Sequence, residues 1–137
     1  MMLTTWIYVS TSRIESGAAE RELDRIVDVS RIRNASIGVT GALLFTGERF
    51  AQCIEGSEDA VRQLRVSIMD DARHHKIYTL TEGDICSRYF IQWSLAYAGP
   101  ATFVSRQLDS SLLDAKSGSA TGGAHIRLLL QEFVGRD

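Results

Sequence analysis

The chain has no surplus of charge of one sign: 15 basic residues stand against 17 acidic ones, interspersed, for a formal net charge of −2. That balance gives no electrostatic footing to a nucleic acid or an anionic membrane as partner. Cysteine is scarce. Cys53 and Cys86 lie far apart and each falls in a stretch read as a strand, so reduced, buried thiols of a cytoplasmic protein fit better than a disulfide. No apolar run approaches the ~18 residues of a membrane span, and the N-terminus lacks a basic region followed by an apolar core. A cytosolic protein is expected. Chemistry-bearing motifs are missing too. His74 and His75 are adjacent and cannot share one face of a helix or strand, and no Cys or His cluster has zinc-type spacing. No Gly-rich phosphate loop opens a helix and no Gly-x-Ser-x-Gly elbow occurs. Neither a metal site nor an enzyme is expected.

What is present is a 137-residue chain with 45% hydrophobic residues, enough for one compact domain with a sizeable core. Its most informative stretch is Asn34 to Gly56, read as a β-hairpin. Val39 to Phe45 is a nearly unbroken apolar run, Thr46-Gly47-Glu48 supplies the turn, and Arg49 to Glu55 alternates so that Phe50, Gln52 and Ile54 share a face. Gln52 is the odd residue there. A buried primary amide needs partners for two donors and an acceptor, which suggests a polar ligand beside it. The plainer reading is a glutamine bonded to a neighbouring strand or to water. Gly38 and Gly41 flank Thr40, as where another backbone or a planar ligand comes close.

Before the hairpin, Leu3 to Ser10 reads as a strand with Trp6, Tyr8 and Ser10 on one face; Tyr8 reads first as a core tyrosine with a tethered hydroxyl. Ala18 to Arg33 carries Ala19, Leu23, Ile26, Val27 and Ser30 at helical spacing. After the hairpin, Ser57 reads as the N-cap of a second helix with Ala60, Val61, Leu64, Ile68 and Met69 as its buried stripe, ending near Asp70. Asp70 to Lys76 reads as a charged connection, Ile77 to Cys86 as a fourth strand, and Gln92 to Tyr97 as a fifth with Trp93, Leu95 and Tyr97 on one face. The order predicts an α+β fold: a ferredoxin-like βαββαββ two-layer sandwich, its five-stranded mixed sheet carrying two helices on one face. Residues 1–100 form the domain and residues 101–137 a C-terminal helical extension. Phe103, Leu108, Leu112 and Leu113 mark a short helix and Ser117 to Gly123 a flexible linker. Ile126, Leu129, Leu130 and Phe133 then make an apolar stripe that must be buried on the sheet's second face, another subunit or a partner.

Several of these stretches together resemble the BLUF domain, the family of blue-light sensors that use flavin. The resemblance spans residues 3 to about 98. It rests on Ile7-Tyr8-Val9-Ser10, on Arg33-Asn34 with Gly38-Val39-Thr40-Gly41 and Leu43-Leu44, and on Arg49-Phe50-Ala51-Gln52 with Ile54-Glu55-Gly56. Asp71-Ala72-Arg73-His74 and Phe90-Ile91-Gln92-Trp93-Ser94 complete it.

The resemblance implies that Tyr8 and Gln52 are a photochemical pair, that Asn34 bonds the edge of a flavin ring, and that Ile26 and Ile68 sandwich it. It places Asp71, Arg73 and His74 near the ribityl and phosphate end, where a guanidinium suits phosphate oxygens. The implied cofactor is FAD, with FMN and riboflavin left open. The implied mechanism is light-driven hydrogen-bond switching, Tyr8 giving up an electron and a proton that Gln52 relays, which leaves Gln52 rotated or tautomerised. Trp93 and Leu95 would carry the signal onward. Leu95 stands where the family commonly has methionine, and leucine offers no thioether to accept a weak hydrogen bond. With only ~40 residues beyond the domain, too few for a typical second one, the output is expected through a separate downstream protein or a homo-oligomer. Two other readings are a flavin-binding protein without competent signalling and a non-catalytic interaction module.

Overall fold

The computed structural model describes residues 2–98, 102–118 and 121–134. Residues 99–101, the Ser119-Ala120 part of the expected linker, and the side chains of Tyr97, Thr102 and Phe103 lie outside the described residues. The strands are β1 (Leu3–Ser12), β2 (Thr40–Phe45), β3 (Arg49–Gly56), β4 (His74–Ile85) and β5 (Trp93–Ala98). The helices are α1 (Ala19–Ser36), α2 (Glu58–Met69), α3 (Thr102–Lys116) and α4 (Thr121–Val134). One sheet has the order β4-β1-β3-β2-β5, antiparallel except where β5 runs parallel to β2. This is the expected ferredoxin-like arrangement, with β3 at its centre.

Alternation along the central strands sorts the core into two layers. Trp6, Tyr8 and Ile54 pack with Ala60, Val61 and Leu64 of α2, and Leu43, Phe45 and Phe50 pack with Leu23 and Val27 of α1. The intervening residues Ile7, Val9, Ala42, Leu44, Ala51 and Cys53 face the other way, onto Val104 and Leu108 of α3 and Ile126 and Leu130 of α4. Of the three partners open to the last apolar stripe, the sheet's second face is the one found. Ser57 caps α2 as expected, its hydroxyl accepting from the Ala60 amide at 3.2 Å, a contact of about 1 kcal/mol.

Five expectations are corrected. α1 runs three residues beyond Arg33, to Ser36, which puts Asn34 inside its last turn. Met69 is half-exposed, since α2 turns it off the stripe that buries Leu64. β4 begins at His74, three residues before Ile77; charges that read as a loop sit on an edge strand, where solvent takes them. Cys86 lies just past β4 and is exposed, whereas Cys53 is buried, and both are free. Gly122 and Gly123 belong to α4 rather than to a linker. They are glycine for want of space: a Cβ would stand 2.5 Å from the Ser111 carbonyl oxygen at Gly122 and 1.7 Å from Thr81 Oγ1 at Gly123.

Candidate functional site

α1 and α2 lie on the same sheet face with a cleft between them. It encloses about 280 Å³, close to the lower end of the ~300–1,000 Å³ usual for small-molecule sites. Tyr8, Leu43, Phe50, Gln52 and Trp93 form its floor. Ile26 reaches it from α1 and Ile68 from α2, so two branched apolar side chains flank the opening, as a flat ring requires. Asp71, Arg73 and His74 also line it.

On the floor three side chains form one hydrogen-bonded chain. Tyr8 and Gln52 are direct partners in the β1–β3 register, and the Gln52 amide nitrogen donates to the Tyr8 hydroxyl at 2.7 Å. Trp93 Nε1 in turn donates to Gln52 Oε1 at 2.9 Å. Trp93 is therefore turned inward, 5% exposed. Neighbours hold the phenol: Trp6 stacks on Tyr8 with ring centroids 4.6 Å apart, and His74 meets it edge-on at 5.9 Å. Burial, the largest influence, pushes the Tyr8 hydroxyl well above its ordinary pKa; the Gln52 hydrogen bond opposes this only partly. The phenol thus keeps its proton.

Asn34 does not line the cleft. It is wholly buried in the last turn of α1, just behind the lining residues Ser30 and Arg33. Gly38, at φ +70°, turns the chain out of the helix so that the Val39 amide donates to the Asn34 carbonyl at 2.8 Å. Its Oδ1 accepts from Arg33 Nε at 3.3 Å, while its Nδ2 is a buried donor without a partner. Such a group costs about 1–3 kcal/mol unless an acceptor completes it. A flavin carbonyl is an acceptor of the right kind.

The polar end of the cleft is cationic. Arg33 and Arg73 stand there with Asp71, and Arg25 also lines the cleft, paired with Glu22 at 3.6 Å. Burial first, and then the charge of Arg73, lower the Arg33 pKa. Burial would raise the Asp71 carboxyl, but hydrogen bonds from the Arg73 side chain and amide, together with its charge, outweigh it and leave Asp71 below its ordinary value. His74 is used differently from the expectation at a phosphate: its Nδ1 pairs with Ser10 Oγ and its Nε2 with the Ile68 carbonyl, both at 2.7 Å. It ties β1 to the end of α2 and so fixes Ile68. Leu95 also stands apart from the cleft, packed on α1's apolar layer and in a groove with Leu23 and Phe45.

Sequence reasoning passed over Arg25, Arg33, Leu43, Phe50 and Ser67 as lining residues. Arg33, Leu43 and Phe50 had a signal, since all three belong to the motifs quoted for the family. The cleft suits a flavin: an apolar slot, the Tyr8–Gln52–Trp93 chain on its floor and a cationic end, with the unmet Asn34 donor just behind its wall.

Among curated proteins, the chain is 38% identical over 79 residues to the "Blue light- and temperature-regulated antirepressor BluF" of Escherichia coli (strain K12). That match covers 58% of this chain and 19% of the relative. It is 33% identical over 97 residues to "Photoactivated adenylate cyclase subunit beta" of Euglena longa, covering 70% of this chain and 11% of that protein. The chain thus spans a fifth or less of the length of either relative. Among solved structures, "BlrB - a BLUF protein, dark state structure" superposes with a TM-score of 0.73 at 27% identity, covering 98% of this chain and 96% of that one. The family model "BLUF: Sensors of blue-light using FAD" matches residues 3–96. This chain belongs to the BLUF family of flavin-binding blue-light sensors.

Proposed function

We propose that this BLUF chain senses blue light by switching the hydrogen bonds of Gln52 between Tyr8 and Trp93. The observation that carries this reading is the continuous chain Tyr8–Gln52–Trp93 on the cleft floor. Bound flavin supplies absorption of blue light and, once excited, an electron acceptor. Tyr8 is the oxidisable group beside it, and loss of an electron makes its hydroxyl proton acidic. Gln52 is the group in reach of that proton. In the arrangement described, Gln52 presents N–H to Tyr8 and Oε1 to Trp93. Turning the amide over gives Tyr8 an acceptor, Oε1, and sets the Gln52 N–H against the Trp93 N–H. Two donors cannot bond one another, so Trp93 must release. A turn of one amide thereby becomes a demand on β5.

Arg33 and Arg73 beside Asp71, with Arg25 paired to Glu22, favour a phosphorylated flavin over riboflavin, and we assign FAD with Asp71 and Arg73 at that end. Asn34 bonds the ring edge, and Ile26 and Ile68 enclose its faces. Residues 1–100 act as the sensor and residues 101–137 as the extension that hands the signal to a separate protein or a second copy of the chain. The test is a light-minus-dark absorption spectrum. The wild-type flavin band shifts red under blue light and relaxes in darkness, while Tyr8→Phe and Gln52→Leu bind flavin without the shift. A full shift in either variant overturns the reading.

A further inference from the structure

Glu55 carries a carboxylate that the light switch does not use, and it is completely buried. It sits three residues beyond Gln52 on central strand β3, on the opposite sheet face. Its oxygens accept from the Tyr89 amide at 2.9 and 3.1 Å, from the Phe90 amide at 3.0 Å and from Thr40 Oγ1 at 3.2 Å. Tyr89 and Phe90 lie in the connection that leaves β4 and delivers Trp93 to the start of β5. These amides have no strand ladder to donate into, and a carboxylate, which only accepts, matches them.

The rest of the connection is held nearby. Arg88 donates to Thr40 Oγ1 at 2.8 Å, to the Gly38 carbonyl at 2.9 Å and to the Glu55 carbonyl at 3.0 Å. The Gly41 amide donates to the Gln92 carbonyl at 3.2 Å. Phe90 drops into the core beneath α3 and α4, whereas Trp93, three residues on, turns into the opposite layer. Arg127 of α4 lies over the Tyr89 ring, 4.1 Å from its centroid. Strand β3 thus touches the Trp93 segment twice, through Gln52 at one end and Glu55 at the other.

We propose that Glu55 is a positioning residue for the light switch: by gripping the Tyr89 and Phe90 amides it fixes the connection from which the Trp93 indole reaches Gln52. The proposal rests on reading the Gln52–Trp93 contact as part of that switch, but its geometry is testable in darkness. The same grip presents Tyr89 to Arg127, so the last helix rests on the segment that the switch displaces. A carboxylate serving stability alone would loosen the whole fold when removed. A positioning carboxylate loosens Trp93 selectively.

The two tryptophans give the discriminating measurement. Trp6 Nε1 donates to Thr79 Oγ1 at 2.9 Å on β4, the sheet edge opposite β5, and packs on the α2 face away from the Glu55 carboxylate, so it serves as the internal control. In the full chain as purified, kept dark, indole N–H exchange with solvent is read by NMR for both rings. Glu55→Ala is expected to speed Trp93 exchange at least tenfold while Trp6 changes less than twofold. Glu55→Gln, which keeps the volume but sets an N–H against the Tyr89 amide, is expected to speed Trp93 exchange at least threefold. Should Glu55→Ala fail to fold, Glu55→Gln alone decides. Unchanged Trp93 exchange in a folded variant, or equal loss of protection at both rings, overturns the proposal. Neither result depends on a light response, so a failure here is distinct from a failure of the switch itself.

Discussion

The amide nitrogen of Gln52 and the hydroxyl oxygen of Tyr8 meet at 2.7 Å as directly paired residues of the two strands β3 and β1. Because a backbone ladder sets their spacing, the bond needs no flexible segment to form. Tyr8→Phe leaves the Gln52 donor buried without its partner and should cost about 1–3 kcal/mol of stability. Gln52→Leu combined with Tyr8→Phe should cost less than the sum of the two singles by at least ~0.5 kcal/mol, because the unmet donor is gone. Urea denaturation of the four proteins checks this. Simple additivity would show that the two residues do not interact.

Trp93→Phe keeps an aromatic ring on the cleft floor and removes the N–H that Gln52 Oε1 accepts. The amide then turns without a donor to displace. Dark recovery should change at least threefold while flavin is still bound, as followed by the decay of the red-shifted band after a light pulse. Recovery identical to wild type would detach Trp93 from the switch.

Leu95→Met is a milder change. Leu95 packs with Leu23 and Phe45 and is not part of the cleft, and Leu-to-Met swaps usually cost less than about 1.5 kcal/mol. The variant should bind flavin as the parent does and alter recovery less than Trp93→Phe does. An effect on recovery larger than that of Trp93→Phe would mean that the thioether reaches Gln52 after all.

Asp71 sets a pH dependence. Its carboxyl lies below the ordinary value of 3.8 in the folded chain, because the hydrogen bonds and charge of Arg73 outweigh the burial that would raise it. A depressed folded pKa contributes stability that is present above the unfolded value and fades as pH falls through the folded one. The melting temperatures of wild type and Asp71→Asn should therefore differ at neutral pH and converge below pH 3.8. A gap that stays constant across that window would assign the contribution to packing.

The strands and their two packed faces were readable from hydrophobic alternation, because strands whose two faces pack on different helices carry their pattern in every residue, as Ile7, Tyr8 and Val9 do. The Tyr8–Gln52 pair was readable from family motifs. What escaped was long-range. Nothing local marks His74 as the tie between Ser10 and Ile68, since those partners lie 64 and 6 residues away. Glu55 was quoted within a family motif but given no role, for the same reason: its amide partners lie 34 and 35 residues on. Gly122 and Gly123 misled because glycine reads as freedom locally and as tight packing only once Ser111 and Thr81 are in place.

β4 and β5 are the opposite edges of the sheet, so the seven residues 86–92 between them must cross the ends of all three inner strands. Four interstrand gaps of ~4.8 Å amount to ~19 Å, and the eight steps from Ile85 to Trp93 reach at most ~26–29 Å. This strap uses roughly two-thirds of its reach. An amide turning at Gln52 and pulling on Trp93 would draw on a short tether pinned at mid-span to the central strand, so the displacement is passed towards Tyr89 and the helix resting on it.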